Sequence, residues 1–420
     1  MSKNINVPKL RFKEFIEEWE EKKLFSLSEN GFSNGAFNDP QKVGSGYKII
    51  NVKDMYIDGV INTDTLTRVA LDEKEFLKNR VEYGDIFFTR SSLVKEGIAY
   101  SNISLSTDKD LTFDGHLIRM RPKKEICFPI FLYYTFTTKK VRNQFIVRGK
   151  TTTMTTIGQN DIASVNIFLP LKQEQEKIAL FLSNVDTKIE QLAKKDELLH
   201  QYKKSIVQKI FSQKIRFKDD DRNEFPEWKE KKLGQIGITY NGLTNKNKEN
   251  FGFGKPYIQY KQIFDNNKIN INKFELVEIL ENENQNRVLF GDIFFTVSSE
   301  TPNEIGMSAV LLDEIEELYL NSFCFGFRVN SLKELSPYYA RYFFRSEIFR
   351  KNITKLAQGS TRYNMSKLEL LKLKIKLPCL EEQNKIANFL SSIDDKIEKN
   401  QKQLEKIKEF KKALLQQMFI

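Results

Sequence analysis

Cysteine and histidine are nearly absent from this 420-residue sequence, which holds three of the first and two of the second. Cys127, Cys324 and Cys379 lie far apart and fit no disulfide or metal-ligand spacing. His116 and His200 are too few for a zinc site. A disulfide-stapled secreted domain is therefore excluded, and a reducing cytoplasm is the expected home. No stretch approaches the roughly 20 apolar residues of a membrane span. The opening, MSKNINVPKLRF, lacks the apolar segment of a signal peptide.

Catalytic motifs are missing as well. Gly149-Lys150-Thr151 resembles the end of a phosphate-binding loop, but the glycine needed five positions earlier is Gln144, in an expected helix. Ser336-Pro337-Tyr338-Tyr339 resembles the loop of amino-methyltransferases but lacks its second proline. It reads better as a helix start, with Ser336 as cap and Pro337 in the first turn. No glycine-rich strand–turn–helix for S-adenosylmethionine is present. Glu227-x-Lys229 is half of a nuclease signature without an evident aspartate partner. The chain is expected to catalyse nothing alone, and no metal or cofactor is expected on it.

What the chain does contain, it contains twice. Leu169–Glu190 (LPLKQEQEKIALFLSNVDTKIE) and Leu377–Glu398 (LPCLEEQNKIANFLSSIDDKIE) agree at 14 of 22 positions at an offset of 208. Tyr83–Ser92 (YGDIFFTRSS) and Phe290–Ser299 (FGDIFFTVSS) agree at 8 of 10, at an offset of 207. Each copy also opens alike. Lys9-Leu10-Arg11-Phe12 with Trp19 and Lys22-Lys23-Leu24 answers to Lys214-Ile215-Arg216-Phe217 with Trp228 and Lys231-Lys232-Leu233. Between these landmarks the copies differ. A frame that is kept while its filling changes describes a scaffold presenting two different surfaces.

Each copy runs globular region first and long helix second. Apolar residues recur at three- to four-residue spacing through Ile178, Leu182, Val185, Ile189 and Leu192, continuing to Leu199, Ile206 and Ile210. The second copy gives Ile386, Leu390, Ile393, Ile397, Leu404, Ile407 and Leu414. Neither stretch contains proline or glycine, and each follows a proline, Pro170 or Pro378, that ends the preceding strand. Forty residues of helix span roughly 60 Å at ~1.5 Å per residue. Such a seam needs a partner, and the other copy's helix is the expected one. The alternative is two separate helices, each packed on its own domain. Asp196 and Lys203 interrupt the first seam, Asn400 and Lys411 the second. They either fix the register of the pair or face another protein.

The globular regions read as mixed β with some helix. Strands are expected at 47–52, 85–89, 116–120 and 164–169, with counterparts at 257–260, 292–296, 325–329 and 373–377. Gly84-Asp85 and Gly291-Asp292 signal turns before a buried strand. Asp85 and Asp292 should therefore bond a turn. Pro129 and Pro337 should open aromatic helices. The fold class is α+β: two pseudo-repeated mixed β/α domains separated by two long antiparallel coiled-coil helices. The boundaries are 1–171, 172–212, 213–379 and 380–420.

Net charge is +11, of which +4 falls on residues 1–171 and +4 on 212–379, while the two helices are nearly neutral. An even excess on both filled-in regions is a modest footprint for a polyanion, although a lysine-rich composition alone would also produce it.

These landmarks resemble the specificity subunit of type I restriction–modification systems. The matching pieces are RFxEF…W…KKL, GDIFFTRSS and the doubled LPxxxEQxKIAxFLSxxDxKIE, each followed by a long helix, and together they cover essentially the whole chain. Cys379 and Leu380 depart from Leu171 and Lys172 in the second signature. The resemblance implies two target-recognition domains, each reading one half of an asymmetric split sequence in double-stranded DNA. It implies a helix pair that sets their spacing and docks two methyltransferase subunits, which bring S-adenosylmethionine. A motor–nuclease subunit would bring ATP and Mg2+. No membrane partner is implied. Half-sites on one face of B-DNA lie about one turn, ~34 Å, apart, within the reach of such a coil.

Candidate DNA contacts cluster in two places per copy. One follows the GDIFFT strand: Arg90, Ser91, Ser92 and Lys95, matched by Ser298 and Ser299. The other precedes the last strand: Lys150, Thr151 and Thr152, matched by Gln358, Ser360, Thr361, Arg362 and Tyr363. Hydroxyls beside a cation suit phosphate oxygens, and Arg or Gln can read base edges. The plain alternative is a set of solvated turns. Lys53 and Lys261, each after an early strand, are further candidates. Two rival functions remain: a self-contained DNA methyltransferase or nuclease with an unrecognised site, and a coiled-coil scaffold without nucleic-acid function.

Overall fold

A computed structural model describes residues 6–37, 40–57 and 59–420. The chain forms two compact units. The first comprises 1–193 with 402–420, the second 194–401.

In the first unit a four-stranded antiparallel sheet runs in the order Ser28–Asn34, Leu117–Pro122, Ile86–Thr89, Ser101–Ile103. A second sheet sets Val43–Ile50 between Arg68–Val69 and Leu111–Phe113. The second unit repeats both. Gly237–Asn241, Cys324–Val329, Ile293–Thr296 and Ser308–Val310 form the four-stranded sheet. Phe251–Ile258 lies between Glu275–Val277 and Tyr319–Leu320. The strand order is therefore identical even where the two sequences share nothing.

The doubled phenylalanine of GDIFFT explains its own repetition. Successive side chains of a strand point to opposite faces. Phe88 enters the main core with Trp19 and Phe131, while Phe87 enters a second cluster with Phe113. Phe295 and Phe294 divide in the same way. All four are fully buried, so both faces of the strand are covered, and the one polar side chain at its end, Thr89 or Thr296, is buried with its hydroxyl bonded. The preceding glycine bends the chain with φ +91° at Gly84 and +86° at Gly291. A Cβ on Gly84 would lie 2.8 Å from Pro129, which opens the aromatic helix Pro129–Thr137. Its counterpart is Pro337–Phe343.

The sequence landmarks at the two ends of each copy meet in space. Glu20–Lys23 pairs antiparallel with Asn166–Leu169, and Lys229–Lys232 pairs with Lys374–Leu377. The Glu-Gln of each signature ties them further. Glu174, 1% exposed, accepts from Arg11 Nε at 2.8 Å and Nη2 at 2.7 Å. Glu382, 0% exposed, accepts from Arg216 at 3.2 and 2.9 Å and from the Trp228 indole at 3.1 Å. The next residue anchors the aromatic helix. Gln175 Oε1 accepts from Phe128 N at 2.8 Å, and Gln383 Oε1 from Ser336 N at 2.9 Å. Ser336 does occupy the cap position of Pro337–Phe343, but its side chain makes no capping bond.

The long helices are Lys172–Phe211 and Leu380–Gln417. In the first unit Ile178, Leu182 and Val185 share a core with Leu414, Met418 and Phe419, while Ile189 and Ile407 pack at its edge. In the second, Ile386, Leu390, Ile393 and Ile397 share one with Ile210 and Phe211, and Leu199 and Ile206 pack against it. Leu192 is buried and Leu404 half-buried. Early residues of one helix thus meet late residues of the other, which makes the pair antiparallel. The seam packs on its own domain and on the opposite helix at once, so the two expectations for it are both partly realised.

The polar interruptions fix register. Lys411 Nζ lies 2.6 Å from Asp186, and Lys203 Nζ 2.5 Å from Asp394. Each aspartate also accepts a tyrosine hydroxyl from the aromatic helix, Tyr134 at 2.8 Å or Tyr342 at 2.6 Å. All three members recur at an offset of 208. Asn400 Nδ2 is 3.5 Å from Asp196. Two strand expectations need correcting. Residues 47–52 are not all extended, because the strand ends at Ile50 and Val52 opens the 3-10 turn Val52–Met55. Residues 257–260 are not all extended, because the strand ends at Ile258 and Tyr260 opens the helix Tyr260–Asp265, stacked on Phe264.

Candidate nucleic-acid interface

The two candidate stretches of the first unit, about sixty residues apart in sequence, converge on one ribbon. Ser91–Ser92 pairs with Thr155–Thr156, which pairs with Lys150–Thr151. The Thr151 and Thr155 hydroxyls bond at 2.9 Å. Arg90, Lys150, Thr151 and Thr152 are exposed, and Ser91 and Ser92 half-buried. Lys95 is exposed on the following 3-10 turn, Lys95–Gly97. Lys53 is exposed on a different turn, Val52–Met55.

The second unit builds the equivalent. Ser298 pairs with Asn364 and Ser299 with Tyr363, while Gln358 and Asn364 exchange backbone bonds of 3.0 and 2.8 Å. The hairpin between them turns at Gly359, φ +129°, and exposes Ser360, Thr361 and Arg362. Gln358 and Tyr363 are half-buried. Ser298 and Ser299 depart from the reading of them as surface contacts. Each is only 6% exposed. Ser299 Oγ accepts from Thr301 N at 3.2 Å, and the Ser298 carbonyl accepts the Tyr260 hydroxyl at 2.9 Å. These serines shape the turn: pairing with Asn364 and Tyr363 covers both, Tyr260 bonds Ser298, and the Ser299 hydroxyl serves Thr301 and Glu304. Lys261, next to that tyrosine, is exposed.

Asp85 and Asp292 bond turns as expected. They accept from Glu82 N at 2.9 Å and Leu289 N at 2.8 Å. Each also takes a forked arginine, Arg121 or Arg328, which holds the guanidinium above its ordinary pKa.

Sequence reasoning missed a pair of arginines beneath the candidate surface. Arg142, on the helix Lys139–Arg148, donates to the carbonyls of Ala99, of Ile98 at 2.6 Å and of Glu96 at 3.0 Å. Arg350, on Glu347–Ile353, donates to Gly306 and Asn303, both at 2.8 Å, and to Ile305 at 2.6 Å. Burial lowers both pKa values, that of Arg350 to about 10. The offset of 208 was the available signal, but it sits where VRNQ and FRKN otherwise disagree.

Among the described residues no group of three His, Cys, Asp or Glu is placed to hold a metal. The Cys127 thiol is pushed up to about 12 by burial, which removes its nucleophilicity near neutral pH. No helix is long and apolar enough to cross a membrane among the described residues.

One ribbon repeated in each unit with different exposed side chains defines a duplicated recognition module. The model of the type I restriction modification DNA specificity domain matches residues 16–200 and again 226–409, one match per repeat, and the chain belongs to that family. A putative type I restriction enzyme specificity subunit from Methanocaldococcus jannaschii is 27% identical across 98% of this chain and 95% of its own length. The StySPI specificity subunit from Salmonella potsdam is 26% identical over 46% of this chain and 43% of its own length. Among solved structures, the type I S subunit of M. genitalium superposes with a TM-score of 0.55 at 17% identity, covering 99% of both chains. That of Thermoanaerobacter tengcongensis gives 0.51 at 16%, covering 97% of this chain and 99% of its own. The chain is a DNA-specificity subunit, and it is not itself a catalyst.

Proposed function

We propose that each unit reads one half of a bipartite, asymmetric DNA sequence, and that the helix pair directs methyltransferase and restriction subunits to it. The observation that carries this reading is the repetition of one ribbon in two units with different exposed residues. Arg90, Lys150 and Thr152 stand on one, and Ser360, Thr361 and Arg362 on the other. Equivalent frames place their side chains at equivalent points on a duplex, so unlike side chains select unlike half-sites. The +4 charge on each globular region suits phosphate contact on both. S-adenosylmethionine and ATP with Mg2+ belong to the partner subunits in this reading, and the complex works in the cytoplasm.

The test is an exchange of residues 25–165 for the matching region of a homologue, in a host whose methylome is sequenced. One half of the methylated sequence should change and the other should persist. A change in both halves would mean that the repeats read jointly. Methylation by the purified chain alone would restore the self-contained enzyme.

A further inference from the structure

The loop that follows each paired-serine strand is built alike in both repeats up to its tip, and there the two copies part in chemistry. Its base is closed by a threonine. Thr89 Oγ1 accepts from Tyr100 N at 2.9 Å, and Thr296 Oγ1 from Met307 N at 3.0 Å. Its returning limb is gripped by Arg142 or Arg350 through three carbonyls each. A guanidinium spending its donors on a turn's backbone, below a surface meant for a polyanion, fixes that turn and keeps its own charge off the surface.

The tips differ. In the first repeat Leu93 is 87% exposed and Val94 61%. Two adjacent branched apolar side chains stand in water, and the same ribbon and turn expose three cations, Arg90, Lys95 and Lys150, against one carboxylate, Glu96. An acidic or neutral protein surface would leave three cations or two hydrophobes poorly matched. A duplex meets both needs, with phosphates for the cations and, in the major groove, the thymine methyl as an apolar feature. At the same place the second repeat exposes Glu300 and Thr301. The neighbouring Glu304 is turned inward, accepting from Thr301 Oγ1 at 2.8 Å and Ser299 Oγ at 3.3 Å. A carboxylate facing DNA is repelled by phosphates unless it meets a base-edge donor, and the cytosine amino group is the donor that the major groove offers an isolated carboxylate.

We propose that these two tips are the base-discriminating elements of the readers. Leu93 and Val94 pack on a thymine methyl in the first half-site, and Glu300 accepts from a cytosine amino group in the second. Arg142 and Arg350 act as positioning residues that hold the tips. This rests on the DNA-specificity reading above and assigns the side chains that carry it.

The experiment uses the full chain with its methyltransferase partner, and reads both the methylated sequence and binding to duplexes. Replacing each thymine of the first half-site by uracil, which lacks only the methyl group, should weaken wild-type binding at one position by about fourfold, the value of one buried methyl. The Leu93→Ser, Val94→Thr chain should be indifferent to that methyl and tolerate other bases there. E300Q should relax one cytosine of the second half-site by roughly tenfold and leave the first half unchanged. R142K keeps the charge but not the three-carbonyl grip. It should blur base preference in the first half while leaving the salt dependence of binding as it was. Unaltered base preference in the tip variants, or loss of methyltransferase co-purification in their place, would overturn the assignment. A wild-type complex that methylates no bipartite sequence would instead remove the reading on which it rests.

Discussion

Replacing Glu382 with Gln tests the joint that holds the second repeat together. The carboxylate is fully buried and accepts two bonds from Arg216 and one from the Trp228 indole. Removing one partner of a buried ion pair costs about 3–5 kcal/mol. The Arg216 side chain is 16% exposed, so water offsets part of that and the expected loss is about 2–4 kcal/mol. Glu174→Gln in the first repeat should cost less by about 1.5 kcal/mol, the lower end for a hydrogen bond to a charged group, because the Trp19 indole N–H has no hydrogen-bond partner among the described residues. The chain's two tryptophans fall one per unit, at 19 and 228. A Trp19→Phe background therefore reports the second unit alone, and Trp228→Phe the first. With an m-value of roughly 2 kcal/mol/M, the urea midpoint read by Trp228 should fall by about 1–2 M in Glu382→Gln. Combining it with Arg216→Met should be strongly non-additive. Additive losses, or a larger effect of Glu174→Gln than of Glu382→Gln, would refute the account.

Three further outcomes follow from the same contacts. Asp186→Lys should destabilise the first unit by about 1–2 kcal/mol, and adding Lys411→Asp should recover at least half of that; Trp19 fluorescence during unfolding checks both. Inserting seven residues in each long helix, after 193 and after 401, lengthens the pair by about 10 Å and should add about three unread base pairs between half-sites without altering the bases read. A methylome with an unchanged spacer would sink that role. Lys150→Ala should weaken binding to all duplexes alike and reduce the salt slope by about one, as seen in titrations at several salt concentrations.

Much of this architecture is legible in the chain because its frame is written twice. The buried GDIFFT strand, the turns at Asp85 and Asp292, the aromatic helices after Pro129 and Pro337, and both long seams were each visible in two places. Local chemistry explains them: a positive-φ glycine, a strand covered on both faces, a proline at a helix start. What escaped depends on partners that are remote in sequence. Ser298 and Ser299 look like surface hydroxyls until their strand partners Asn364 and Tyr363, and for Ser298 also Tyr260, are in place. Arg142 and Arg350 read as ordinary helix cations until the carbonyls they grip, more than 40 residues earlier, fold beneath them. The polar seam residues left two readings open because a sequence shows one helix at a time.

The last turn of the C-terminal helix belongs to the first unit. Leu10 N bonds the Gln417 carbonyl at 2.8 Å, and the Phe419 ring lies 5.3 Å from Phe131 and 6.3 Å from Trp19. During synthesis the first reader therefore waits with a gap in its core. The roughly two hundred residues of the second repeat take about 10–40 s to emerge at ~5–20 residues per second. Only then does the segment that fills the gap leave the ribosome. A chain cut short near its end should lose the fold of its beginning before that of its middle, so that unfinished copies carry no intact first reader.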